Sequence, residues 1–239
     1  HTAFNDVYRR DMLEDMQGIA EAWKGMSLHF DAIYVGYLGG AHQMPLVKEI
    51  VARYKQPDTL LFVDPVMGDH GKKYSFVTQD MVEGFRALCQ RAEVIFPNHT
   101  EAALLLGVES QEGVGEENLL TSLITSLSPA AVLTGAEKGE ELGALALDQQ
   151  GFHVAYAKRH PGAYPGTGDL LASACIGALL RGLPLQQALE CAVSFVSDCI
   201  GLKDLAEDSR LGVPFEGLLP ALAQRVQQLL TEGEPNHHA

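Results

Sequence analysis

The chain has 239 residues, 46% of them hydrophobic, which is enough for one sizeable core. Its formal net charge of -14 carries no basic stripe, which argues against a nucleic-acid partner and leaves phosphate binding to local dipoles and a few nearby cations. Cys89, Cys175, Cys191 and Cys199 show no CxxC spacing, and the longest apolar run, Leu170 to Leu180, is too short to cross a bilayer. The expectation is therefore a soluble cytoplasmic protein with buried, reduced thiols, forming a single domain over 1–239 with a loose tail at 232–239.

No element is assigned before residue 29. The run HFDAIYVGYLGG (29–40) is β-rich and ends in glycines, and QMPLVKEIVARYK (43–55) has helical spacing with Leu46, Ile50 and Tyr54 on one face. TLLFVDPVMGD (59–69) reads as a continuous apolar strand stopped at Asp64-Pro65. A helix is predicted around 78–91, then the strand EVIFPN (93–98), then the helix TEAALLLG (100–107) closed by a capping glycine. Helix 116–127 and the strand AAVLTG (130–135) follow. LGALALDQQGFHVAYA (142–157) has the pattern of a hairpin. The remainder is helical at 168–182, 184–201 and about 215–231. In the second of these, Leu185, Ala188, Leu189, Ala192, Val196 and Cys199 form an apolar stripe.

Strands that alternate with helices and are apolar throughout imply a mostly parallel sheet with helices on both faces. In such α/β sheets ligands sit beyond the carboxyl ends of the strands. Gly36-Tyr37, Asp64-Pro65, Pro97-Asn98 and Thr134-Gly135 all fall at strand ends.

The stretch PGTGDLLASACIGALLRG (165–182) adds a helix start. Unpaired N–H groups there attract an anion, and Gly166 and Gly168 let a ligand come close to the main chain. Thr167 adds a hydroxyl, and Asp169 at the same terminus is expected to stay ionised and able to accept a proton. An anion cradle beside a carboxylate base suits phosphoryl transfer to an alcohol. Each feature also has a plain alternative: Asp169 as a helix cap, Asp64 as a turn former, Asn98 with Glu101 as a capping pair, Tyr37 as core packing.

Taken in order, GYLG, DPVMGD, PNHTEA, LTG and PGTGD resemble the ribokinase-like fold and, within it, the pyridoxal kinase group. The resemblance implies ATP-dependent phosphorylation of the 5'-hydroxyl of pyridoxal, and of pyridoxine or pyridoxamine, with Mg2+ and a monovalent cation as cofactors. By that resemblance Asp169 is the base, and Gly166, Thr167 and Gly168 hold the moving phosphoryl group. Asp64 and Asn98 lie along the nucleotide phosphates, with Thr134 and Gly135 in contact with the nucleotide. Glu101 orients Mg2+ and Asp69 matches a monovalent-cation position. Tyr37 covers the pyridine ring, and Thr2 contacts the vitamin. The group's pattern begins earlier, so an opening strand-helix-strand is expected ahead of His1. The group is usually homodimeric. The alternatives are a hydroxymethylpyrimidine kinase, a sugar or nucleoside kinase, and a non-catalytic nucleotide- or B6-binding protein. Lys72, Lys73, Lys158, Arg159 and His160 are candidate flap cations over the phosphates, weighed against plain solvated loop charges.

Overall fold

The structure, a computed structural model, describes residues 6–108, 115–203 and 208–233. These divide into two units: Asp6–Leu133 with Leu147–Gln149, and Thr134–Ala146 with the residues from Gln150 onward.

The first unit opens with α1 (Leu13–Trp23), β1 (Ala32–Val35), α2 (Met44–Tyr54) and β2 (Leu60–Val63). A two-stranded ribbon of β3 (Gly68–Asp69) and β4 (Lys72–Lys73) comes next, followed by α3 (Gln79–Cys89), β5 (Val94–Ile95), α4 (His99–Leu106), α5 (Glu116–Ser126) and the first residues of β6 (Ala131–Lys138). β1, β2, β5 and β6 lie side by side in that order, all parallel, with Val35 opposite Val63, Val63 opposite Ile95 and Ile95 opposite Ala131. Consecutive strand residues are buried, Leu61 to Val63 and Ala131 to Leu133, so both faces of these strands are covered, as the unbroken apolar runs require. The N–H of Met81 donates to the Thr78 hydroxyl at the start of α3, and Gly107 closes α4 with φ 69, the left-handed cap expected of it.

The strand read over 59–69 stops at Asp64-Pro65 as expected: its last residue is Val63, and Pro65 has no N–H to continue a ladder. Beyond the stop, Gly68-Asp69 pairs antiparallel with Lys72-Lys73. Two sequence expectations shift here. Helix α2 buries Met44, Val47, Val51 and Tyr54, while Leu46 and Ile50 are only half-buried, so its core face lies beside the one expected. Helix α1 has no counterpart among the predicted elements. It buries only Ala20 fully, and Trp23, the residue that anchors its end, packs on Phe30 and Tyr54 at 5.6 and 5.7 Å between ring centres.

The second unit takes the rest of β6, then β7 (Glu141–Asp148) as far as Ala146, β8 (Gly151–Lys158), α6 (Thr167–Leu180), α7 (Leu185–Gly201) and α8 (Leu219–Gly233). β7 lies beside both β6 and β8. Gly139-Glu140 and Gln149-Gln150 are the only residues between the strands, a length that closes antiparallel hairpins alone. Helix α6 buries small residues, Ala172, Ala174, Cys175 and Ala178, and packs closely on α7. The stripe predicted on α7 is buried except at Val196, which is half-buried. Each larger apolar side chain so covered contributes about 1.5–3 kcal/mol. The Gln186 amide brackets β8, accepting from the Val154 N–H at 3.2 Å and donating to its carbonyl at 2.9 Å, which occupies the outer strand of the sheet. All four cysteines are free and buried. No described helix is long and apolar enough to cross a membrane.

The fold is α/β, with a mostly parallel sheet flanked by helices.

Candidate active site

In the first unit, the site begins where β2 stops. The Asp64 N–H continues the ladder to the Val35 carbonyl at 2.8 Å, and the side chain, only 7% exposed, receives the Tyr34 hydroxyl on Oδ2 at 3.1 Å. Glu101, 4% exposed, accepts the Met67 N–H at 3.0 Å on Oε1 and the Asn98 N–H at 2.9 Å on Oε2. Asn98 Oδ1 accepts the Glu101 N–H at 3.0 Å, and Asn98 Nδ2 donates to the Gly68 carbonyl at 2.8 Å. Asn98 and Glu101 therefore do form the capping box that their spacing suggested. The same bonds fasten the loop after Asp64 to the first turn of α4, so cap and site are one construction. Thr100, which the sequence reading passed over, accepts the Gly71 N–H at 2.8 Å and holds the ribbon's turn.

Gly68 has no room for a side chain: a Cβ there would lie 2.5 Å from the Lys72 carbonyl oxygen. Gly68→Ala is expected to cost about 1–3 kcal/mol, since backbone must move, and a urea melt checks it.

Burial, reinforced by the charge of Asp64, pushes the Glu101 carboxyl up to about 8 from 4.5, against the pull of the Asn98 and Met67 amides. Between those two values the folded protein holds a proton that the unfolded chain releases. The stability this group contributes is thus fully present below pH 4.5 and is lost as pH rises through about 8. Urea midpoints of the wild type should fall more steeply across that window than those of Glu101→Gln, which does not titrate. Parallel curves would contradict this.

Asp69 is exposed, and its Oδ1 accepts the N–H of His70, which has φ 48. Among the described residues no group of three His, Cys, Asp or Glu side chains is placed to hold a metal, so Glu101 and Asp69 do not make a ready-built cation cage. Tyr37 is not core: it is 52% exposed and meets Phe76 edge-on at 5.7 Å, and Phe76 stacks on Tyr74 at 5.8 Å. Lys72 and Lys73 are exposed. Thr2 lies outside the described residues.

In the second unit, Thr134 is half-buried and Gly135 has φ 77, a left-handed turn of the chain within β6 that disfavours any side chain. Gly166 precedes α6 with φ 86. The first bond of that helix runs from the Leu170 N–H to the Gly166 carbonyl at 3.1 Å, so the amides of Thr167, Gly168 and Asp169 come before the helical ladder. A Cβ on either Gly166 or Gly168 would meet nothing within 4 Å, so the side-chain positions of both glycines open onto free space at the helix start. The Thr167 hydroxyl turns back to the Tyr164 carbonyl at 2.9 Å and steadies the turn.

Asp169 stands in the first turn of α6 and makes no side-chain cap, hydrogen bond or ion pair with a described residue. This sets aside its reading as a plain helix cap. Partial burial raises the Asp169 pKa above the ordinary carboxylate range.

Of the candidate cations before this turn, Arg159 pairs with Glu137 at 3.0 Å. His160 reaches the Ser197 hydroxyl at 3.3 Å and lies beside Gly201. Lys158, His160, Ser197, Gly201, Leu202 and Leu218 line a cavity of about 520 Å³ with Asp198 at its wall.

The family model described as phosphomethylpyrimidine kinase matches residues 17–212. The pyridoxine/pyridoxal/pyridoxamine kinase of Bordetella avium is 31% identical over 229 residues, which cover 92% of this chain and 74% of that protein. A pyridoxal kinase of Rubrobacter xylanophilus is 30% identical over 195 residues, covering 78% of this chain and 66% of its own. The crystal structure of pyridoxal kinase from Lactobacillus plantarum superposes with a TM-score of 0.85 at 32% identity, over 98% of this chain and 84% of that one. The chain belongs to the phosphomethylpyrimidine kinase family, in its pyridoxal kinase group.

Proposed function

We propose that the chain is one kinase domain that transfers the γ-phosphoryl group of ATP to the 5'-hydroxyl of pyridoxal, and of pyridoxine and pyridoxamine. The observation that carries this reading is the Asp169 carboxylate, without a partner among the described residues, in the same helical turn as three amides outside the ladder and beside two glycines whose side-chain positions open onto free space.

Asp169 takes the hydroxyl proton as the oxygen bonds to the γ-phosphorus, the bond from that phosphorus to the bridging oxygen breaks, and ADP leaves with the electron pair. The amides of Gly166, Thr167 and Gly168 hold the charge that gathers on the moving group's oxygens. Asp64 and Asn98 position the nucleotide phosphates, Asn98 through the loop carbonyl it grips, and Thr134 and Gly135 contact the nucleotide. Glu101 and Asp64 are buried oxygen donors, the ligand type that suits a Mg2+ ion carried on the phosphates. When bound, Mg2+ neutralises phosphate charge; Glu101 would orient it, and Asp69 would serve a monovalent cation. The Tyr37 ring, exposed beside Phe76, supplies an aromatic face for the pyridine.

A cytoplasmic homodimer is part of the same proposal, and light scattering of the purified protein tests the assembly. The activity itself is tested by incubating the protein with Mg-ATP and pyridoxal and identifying the product by mass. Pyridoxal 5'-phosphate with matching ADP supports the reading, and ADP release that does not depend on pyridoxal contradicts it.

A further inference from the structure

We propose that Tyr34 is a positioning residue for Asp64 and that Gly36 is what allows it to be one. The proposal rests on the assignment of Asp64 to the nucleotide phosphates made above. A buried carboxylate needs hydrogen-bond donors to stay oriented and charged. Asp64 has its main chain fixed, by its N–H to Val35 and by its carbonyl, which accepts the Val66 N–H at 2.9 Å. Its side chain is directed separately, by the Tyr34 hydroxyl on Oδ2.

That contact crosses from one strand to the next. Tyr34 stands opposite Phe62 in the parallel register, two residues before Asp64 on the neighbouring strand, so only a long side chain running along β1 can reach it. The ring does so by passing over position 36, which lies on the same face two residues on. A Cβ at Gly36 would sit 3.1 Å from the Tyr34 hydroxyl oxygen and 3.2 Å from Cε1, so the ring takes the path that the missing side chain leaves clear. Tyr34 is 40% exposed, and packing alone does not explain a tyrosine held in this line. The hydroxyl and the glycine together describe a device that aims one carboxylate oxygen.

The experiment is a double-mutant cycle on kcat/KM for Mg-ATP. Tyr34→Phe keeps the ring and is expected to lower kcat/KM about ten-fold, as loss of a bond to a charged acceptor does, with KM for pyridoxal unchanged and the thermal midpoint retained. Asp64→Asn should lower it further, and Tyr34→Phe/Asp64→Asn should be no worse than Asp64→Asn alone. Gly36→Ala, which leaves the hydroxyl in place but obstructs its path, should behave like Tyr34→Phe. Independent, additive losses in the double mutant, or full activity in Tyr34→Phe beside a crippled Asp64→Asn, would overturn the positioning role and leave the Asp64 assignment intact. Full activity in Asp64→Asn would overturn that assignment and this inference with it.

Discussion

Asp169→Asn is expected to lower kcat for pyridoxal phosphorylation by about 10²–10⁴, the usual contribution of a positioned base, while ADP binds as before. Asparagine has the size of aspartate and takes the same place in the first turn of α6, so the helix and its amides should stay as they are. What disappears is a proton acceptor, and with it the acid limb of the pH profile. Because partial burial raises the Asp169 pKa, that limb in the wild type should lie at higher pH than an ordinary carboxylate would give, with activity rising as the group ionises. Near-wild-type turnover in the variant would show that another group takes the proton.

Gly168→Ala carries the second large effect, and it separates stability from chemistry. Gly168 is helical, its φ is not in the left-handed region, and a Cβ there meets no protein atom within 4 Å. Alanine in place of glycine in a helix is favourable by about 1 kcal/mol in propensity, so the thermal midpoint should hold or rise. If the open space at the Gly168 side-chain position receives the moving phosphoryl group, the new methyl intrudes on it, and kcat should fall by about 10²–10³, the scale for losing an anion-hole donor. A variant that is both as stable and as active as the wild type would mean that no ligand occupies that space.

The parallel strands were legible because burial on both faces leaves no polar residue in runs such as LLFV and AVL. Gly107 was legible because a left-handed cap has few substitutes. Helix α1 was not: LEDMQGIAEAW has almost no core face, and its anchor Trp23 packs against Phe30 just beyond the helix and against Tyr54 at the end of α2. Within the candidate site, the spacing of Asn98 and Glu101 announced a capping box, yet not that Glu101 would also hold the Met67 amide across to another loop. The role of Tyr34 depends on a side chain reaching the next strand, and its only trace in the sequence is the glycine two residues on. The dipole at the start of α6 suggested an ionised Asp169, and the burial that raises its pKa is not displayed by the sequence.

The most direct measurement is ADP production by the wild-type protein from Mg-ATP with pyridoxal, hydroxymethylpyrimidine and ribose supplied in turn. The account predicts the highest kcat/KM with pyridoxal and its near-complete loss in Asp169→Asn. Preferential turnover of hydroxymethylpyrimidine or ribose, or pyridoxal turnover that survives the loss of the Asp169 carboxylate, would contradict it.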